Sequence, residues 1–248
     1  MRDLATVIAR HRQRALGNNA VASGAEIKAV SVWASVTHTD LDLGVRQAAR
    51  LPLATRRAAQ KMRMLQSSTE AEALVRASQR APTVAQRIVW LHKAATAWGK
   101  PVEAVAACAK GCAHCCHIPV TISGKEAQLV SRATGRAAVA TPRNSVSVQD
   151  LTEVDTVALA SEKLTHWGTG TACPFLVSDT CSIYEIRPLA CRVLFNMDDD
   201  DLLCRHGAQQ PADVPYAYSR ILRALALAAQ PAETLADIRD FFPAPSTS

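Results

Sequence analysis

Within nine residues the chain reads Cys108-Ala-Lys-Gly-Cys112-Ala-His-Cys115-Cys116, half of its eight cysteines. The other four follow at Cys173, Cys181, Cys191 and Cys204. Thiolates are soft ligands that suit zinc and iron–sulfur clusters, so all eight are candidate metal ligands. The first four are spaced i, i+4, i+7 and i+8. On a continuous helix Cys108, Cys112 and Cys115 would share a stripe, with Cys116 at its edge. Gly111 weakens a helix there, and a turn serves equally well. The side chains of adjacent Cys115 and Cys116 diverge, which sends one of them to a second site or leaves it free. The later spacings are too loose to specify a site alone. The Cys173–Cys204 segment is therefore expected to fold back onto the first block. Eight thiols allow two four-thiolate sites, or one cluster with accessory thiols.

Other reactive side chains lie beside these cysteines. Arg187 and Arg192 flank Cys191. A guanidinium there can donate hydrogen bonds to cluster sulfurs or bind a carboxylate or phosphate bidentately. Bracing of the loop is the structural alternative. Tyr184 is either a general acid or a packing residue. With Arg187 and Arg192 it completes the candidate cofactor-binding set. His114, His117 and His206 can each replace a thiolate, or lie as solvated neighbours. Asp198 to Asp201 form an acidic run that either attracts a hard cation or is simply a solvated loop. No Ser-His-Asp or Cys-His arrangement is legible, so no catalytic residue is assigned.

Two blocks, C-x3-C-x2-C-C and C-P-F-L-V-S-D-T-C-S-I-Y-E-I-R-P-L-A-C-R, resemble the zinc- or iron-chelating cysteine-cluster family of the YkgJ type. The matching residues are Cys108, Cys112, Cys115, Cys116, Cys173, Pro174, Cys181, Tyr184, Arg187, Pro188, Cys191 and Arg192, with Cys204 similar to a late cysteine of many members. The resemblance spans roughly residues 105–205 and implies a metal site. Flagellin lysine N-methylases share the cysteine block, and that more distant similarity implies an iron–sulfur cluster and S-adenosylmethionine. Cys108, Cys112 and Cys115 also match the C-x3-C-x2-C spacing of radical S-adenosylmethionine enzymes, but the strand–helix alternation of their barrel is missing. No G-x-G-x-x-G phosphate loop occurs.

The elements that must position these residues read as helices. Alanine is frequent, glycine is scarce at 10 residues and aromatics make up 4%; such composition favours helix. The expected fold is mainly α: a helical, bundle-like body with an irregular cysteine-rich metal-binding region. Helices are expected over 3–16, 23–36, 41–50, within 54–79, from Pro82-Thr83 to Trp98 with Gly99 as the stop, after the Ser123-x-x-Glu126 capping box to about Thr134, over 149–167, and over 216–229 and 232–242. Residues 118–122 read as a short extended piece and 142–148 as a loop. The expected organisation is a helical N-terminal region (1–100), a cysteine-cluster domain (101–242) and a tail (243–248).

At 248 residues the chain can bury a core without help from metal, which argues that a metal would do more than staple the fold. The net charge of +6 is spread without a run of basic residues, so nucleic acid is not an expected partner. No secretory signal is legible at the start and no stretch of about 18 apolar residues occurs, so a cytoplasmic protein with no membrane span is expected. In that compartment thiols stay reduced, and eight cysteines read as metal ligands before disulfides. The reading is a metal-binding protein, with iron–sulfur or zinc, supporting a redox or methyl-transfer-like group-transfer reaction on a protein or small-molecule partner. The competing class is a zinc-stabilised interaction module, or a metal chaperone or sensor without catalysis.

Overall fold

The computed structural model describes residues 38–244 except 110, 153, 209 and 211. The expected helices over 3–16 and 23–36 lie outside the described residues. The described part is mainly α, with three small antiparallel sheets.

Three helices come first: α1 (His38–Met64), α2 (Thr69–Arg80) and α3 (Val84–Glu103). Ser68 caps α2, and Thr83 and Gln86 form a capping box on α3. Ser78 donates its hydroxyl to the Arg87 carbonyl and so fastens the α2–α3 hairpin. Ile88, Leu91 and Ala95 of the expected stripe are buried, against Leu189, Val193, Leu222 and Ala226. Gly99 does not stop α3. A Cβ there would meet the Phe195 ring at 3.0 Å, so glycine serves close packing while the helix continues through Pro101.

The cysteine-bearing part folds from short pieces. Strand β1 (Thr121–Ser123) leads into α4 (Gly124–Thr134), whose Ser123–Glu126 capping box and Gly135 stop match expectation. Then come β2 (Val146–Ser147), a 3-10 turn (Gln149–Thr152) and α5 (Val154–Thr165), so of the helix expected over 149–167 the first turn is 3-10 and the α-helix ends at Thr165. A hairpin of β3 (Leu176–Val177) and β4 (Thr180–Cys181) turns through Ser178 and Asp179, both at positive φ. Two left-handed residues make the tight turn whose twist suits a hairpin. Next are α6 (Leu189–Arg192), β5 (Leu194–Asn196), β6 (Tyr216–Tyr218), α7 (Arg220–Ala228), β7 (Thr234–Asp237) and α8 (Ile238–Phe241).

The two expected terminal helices are thus each divided. Residues 216–218 pair with β5, and residues 234–237 form the centre of a sheet ordered β1-β7-β2. Pro231 ends one element, and burial of Leu235, Ala236 and Asp237 draws the next segment into the sheet. Tertiary pairing overrides local helix preference in both places. The four Asp198–Asp201 carboxylates meet cations of the chain: Arg50 takes Asp198 and Asp200, Arg57 and Lys61 take Asp199, and Arg205 takes Asp201. Gln47 donates to the carbonyls of Leu202 and Arg205, so α1 is tied to the loop before and after Cys204.

One buried pair ties the remaining pieces. Asp237 accepts from Arg239 at 3.1 Å and from the Val120 amide at 2.7 Å. Arg239 reaches on to the carbonyls of Ile118 and Thr171 at 3.0 and 2.6 Å. Burial pushes the Asp237 carboxyl up, against the pull of the Arg239 bonds. A buried pair of this kind fixes geometry more than it adds stability, but removing one partner strands the other charge. Arg239→Met should therefore lower unfolding free energy by about 3–5 kcal/mol in urea titration. A loss below about 1 kcal/mol, the range of an exposed pair, would show that the clasp is not as buried as described.

Candidate metal centre

The first cysteine block is not a helix. Beyond α3 the chain turns, with Gly111 at φ +93° and the Cys112 amide donating to the Ala109 carbonyl, and then makes a 3-10 turn over His114–His117. Of the two local geometries open at the start, the turn is the one adopted. The expected meeting of the two segments does occur. The Cys173 amide donates to the Cys116 carbonyl at 2.7 Å, and the Asn196 amide donates to Cys108 Sγ at 3.2 Å.

The meeting encloses a cavity of about 150 Å³. Seven cysteines line it: Cys108, Cys112, Cys115, Cys116, Cys173, Cys181 and Cys191. Cys204 stands outside that lining, within 3.9 Å of the Tyr216 hydroxyl. Each contributor has its own support. The β3–β4 hairpin presents Cys181, and Cys116, Cys173 and Cys181 pack with Ile122, Phe175 and Ile238. Cys108 packs with Phe195, Met197 and Val102. Cys191 rides on α6, whose Leu189 amide donates to buried Glu126 at 2.8 Å.

Glu126 is a junction. Beyond Leu189 it holds His92 at 2.9 Å and the Ser123 amide at 3.1 Å. Burial alone would raise its carboxyl, yet the His92 contact and the amides hold it below the ordinary range. A group whose folded pKa is depressed stabilises the protein above its unfolded pKa and loses that contribution as pH falls through the folded value.

The thiols differ in acidity. Burial pushes Cys108 and Cys173 up to about 11 and Cys204 up to about 12, and it lifts Cys191 well above the usual value. Cys116 hydrogen-bonds to both Cys115 and Cys181 and is raised, while its two partners are lowered. The Arg187 charge lowers Cys115, Cys181, Cys108 and Cys191 together.

Arg187 lines the cavity and stacks on Tyr184 at 4.0 Å, and its Nε is buried without a partner. Tyr184 lines the cavity as well and donates to Glu103 at 3.2 Å. Arg192 is not brought in: it donates to the carbonyls of Arg187 and Glu185 and to Thr96, bracing the α6 turn from outside the cavity. His114, His117 and His206 gather in a neighbouring cleft that Cys112 also lines, with ring centroids 6.1 Å (His114–His206) and 5.5 Å (His117–His206) apart. Each already has a partner there: His114 meets Asp201, His206 the His114 carbonyl, and His117 the Gly170 carbonyl.

The donor set fits zinc or iron–sulfur chemistry: seven thiols, two of them made more acidic, with the Arg187 charge acting on them. Among the described residues, however, no three His, Cys, Asp or Glu side chains are already arranged to hold a metal ion. Cys116 hydrogen-bonds to Cys115 and Cys181 instead. Metal binding here requires deprotonation and side-chain rotation toward a common point.

Residues 107–208 match a family model. That model is CxxCxxCC, described as a "Putative zinc- or iron-chelating domain", and the match supports metal binding. It covers less than half of the chain. The first spacer here holds three residues where the model's name has two, and Gly111 takes its turn within that longer spacer. No curated protein and no solved structure matches the chain.

Glu103, Glu126, Tyr218, Arg223, Asp237 and Arg239 were not among the sequence candidates for the site. Only Glu126 had a signal, the capping box. Two outcomes are expected. In reduced, metal-stripped protein near pH 7, Cys181 should be alkylated at least about tenfold faster than Cys173, because the thiolate is the nucleophile; peptide mass spectrometry after iodoacetamide measures this, and equal rates would contradict the acidity order. Wild type should lose stability relative to Glu126→Gln as pH falls below about 4.3, the ordinary glutamate value, and parallel pH curves would contradict the depressed carboxyl.

Proposed function

We propose that this chain carries a thiolate-bound iron–sulfur or zinc centre in the cavity between its two cysteine segments. The observation that carries the reading is that seven of eight cysteines, from residues 108 to 191, line one cavity with a cation among them. Cys108, Cys112, Cys115, Cys116, Cys173, Cys181 and Cys191 are the proposed ligand pool, and Cys204 is accessory. Seven donors exceed the four of a single structural zinc, so a cluster or a multinuclear site accounts for them better. The Arg187 cation in the lining suits a negatively charged group, as a thiolate-bound cluster is.

When bound, a cluster supplies electron transfer or activation of a group for transfer. The chain's own residues do the rest. Ile183, Phe195 and Ile238 limit water in the cavity. Arg187, held over the Tyr184 ring, favours the anionic form of the thiols. Glu126 positions Cys191 through the start of α6. The proposed setting is the cytoplasm, with a redox or group-transfer reaction on a protein or small-molecule partner. Among the described residues no helix is long and apolar enough to cross a membrane.

Anaerobic purification with iron, sulfide and zinc analysis tests this. Brown protein with bound iron and sulfide is the expected result. Colourless protein with stoichiometric zinc would favour the zinc-stabilised interaction module. Cys181→Ser and Cys191→Ser should lose most of the metal while Cys204→Ser keeps it. Equal retention in all three variants would refute the placement.

A further inference from the structure

The thiol cavity has a second set of wall residues that the metal reading leaves unused. Tyr218 and Arg223 line it together with Tyr184, Arg187 and Glu103. Arg223 stacks on Tyr218 at 5.2 Å, as Arg187 stacks on Tyr184 at 4.0 Å. Other arginines are occupied elsewhere: Arg50, Arg205 and Arg239 pair with aspartates, and Arg136 and Arg192 donate to backbone carbonyls. Among the described residues Arg187 and Arg223 have neither an acidic nor a carbonyl partner. A guanidinium set over a ring can still offer N–H groups of the fork that recognises a carboxylate bidentately. The buried Nε of Arg187 is such a donor, left without an acceptor. Buried donors without partners are uncommon, so each calls for one. Glu103, the single acid in this wall, is exposed and accepts the Tyr184 hydroxyl. The remaining wall is largely apolar, including Ile118, Ile183, Leu194 and Phe195.

From this arrangement we infer that the cavity binds a small carboxylate with a short apolar body, gripped by Arg187 and Arg223 beside the thiols. The inference rests on the proposed site and names its substrate class. The carboxylate meets the two guanidinium edges, and the apolar body lies along Ile183 and Phe195. Tyr184 and Tyr218 hold the two cations in place. Arg223 is the discriminating residue, since Arg187 also faces the thiols.

The test is calorimetric titration of 4-phenylbutyrate, with 4-phenylbutanol as neutral control, into the full chain as purified anaerobically. Metal content is measured first, so that a failed metal reading appears there and a failed carboxylate site appears in the titration. The acid should bind saturably, at least about tenfold tighter than the alcohol. Arg223→Gln should lose about tenfold in acid affinity at unchanged metal content, and Arg223→Lys should recover part of it. Circular dichroism of each variant separates misfolding from loss of the contact. Acid and alcohol binding alike, absence of acid binding, or wild-type affinity in folded Arg223→Gln would each overturn the assignment.

Discussion

The Asp237–Arg239 pair is the contact on which the cavity depends. It sits at the join of β7 and α8, yet its bonds reach the chain just after the first cysteine block, at Ile118 and Val120, and just before the second, at Thr171. Local geometry alone could not bring these places together, because two strands, two helices and a 3-10 turn lie between Cys116 and Cys173. The two charges satisfy each other, but the buried pair has further donors and acceptors to fill, and the Ile118 and Thr171 carbonyls and the Val120 amide fill them when the two segments close on it. Once they have closed, the short bond from the Cys173 amide to the Cys116 carbonyl sets the register of one block against the other.

Within that frame the thiols balance opposing effects. Burial disfavours thiolates, and five of the cysteines, Cys108, Cys112, Cys173, Cys191 and Cys204, are pushed up chiefly for that reason. Hydrogen bonding from Cys116 and the charge of Arg187 pull Cys115 and Cys181 the other way. A site that gathers thiols but keeps most of them protonated releases protons when metal binds, and its affinity rises with pH. Arg187 and Tyr184 bear on both halves of this balance. Their stack places a permanent cation in a cavity whose other residues are mostly apolar or sulfur.

Much of the site was legible because cysteine declares its chemistry by identity. The dense first block needed only spacing; the spacings of Cys173–Cys204 are too loose for that, and the expectation that this segment returns to the first block rested on the shared thiol chemistry. The capping box at Ser123 and Glu126 and the stop at Gly135 were local signals that the fold kept. Gly99 was misread because a glycine after a periodic run signals an end, while its role here is set by Phe195, far along the chain. Residues 216–218 and 234–237 look helical by composition, and only their strand partners make them extended. Asp237, Arg239 and Arg223 are ordinary charged residues in sequence. Their importance comes from burial and from which cavity they face, which no local pattern encodes. Arg192 shows the reverse: proximity to Cys191 in sequence put it among the candidates, and the α6 turn carries it outside.

Whether the two cysteine segments share one metal centre is tested most directly by X-ray absorption at the metal edge of anaerobically purified protein. A first shell made of sulfur at about 2.3 Å is the expected result, with a metal–metal feature if the centre is a cluster. A shell dominated by nitrogen or oxygen would contradict a thiolate centre, and would move the site toward the neighbouring cleft of His114, His117 and His206.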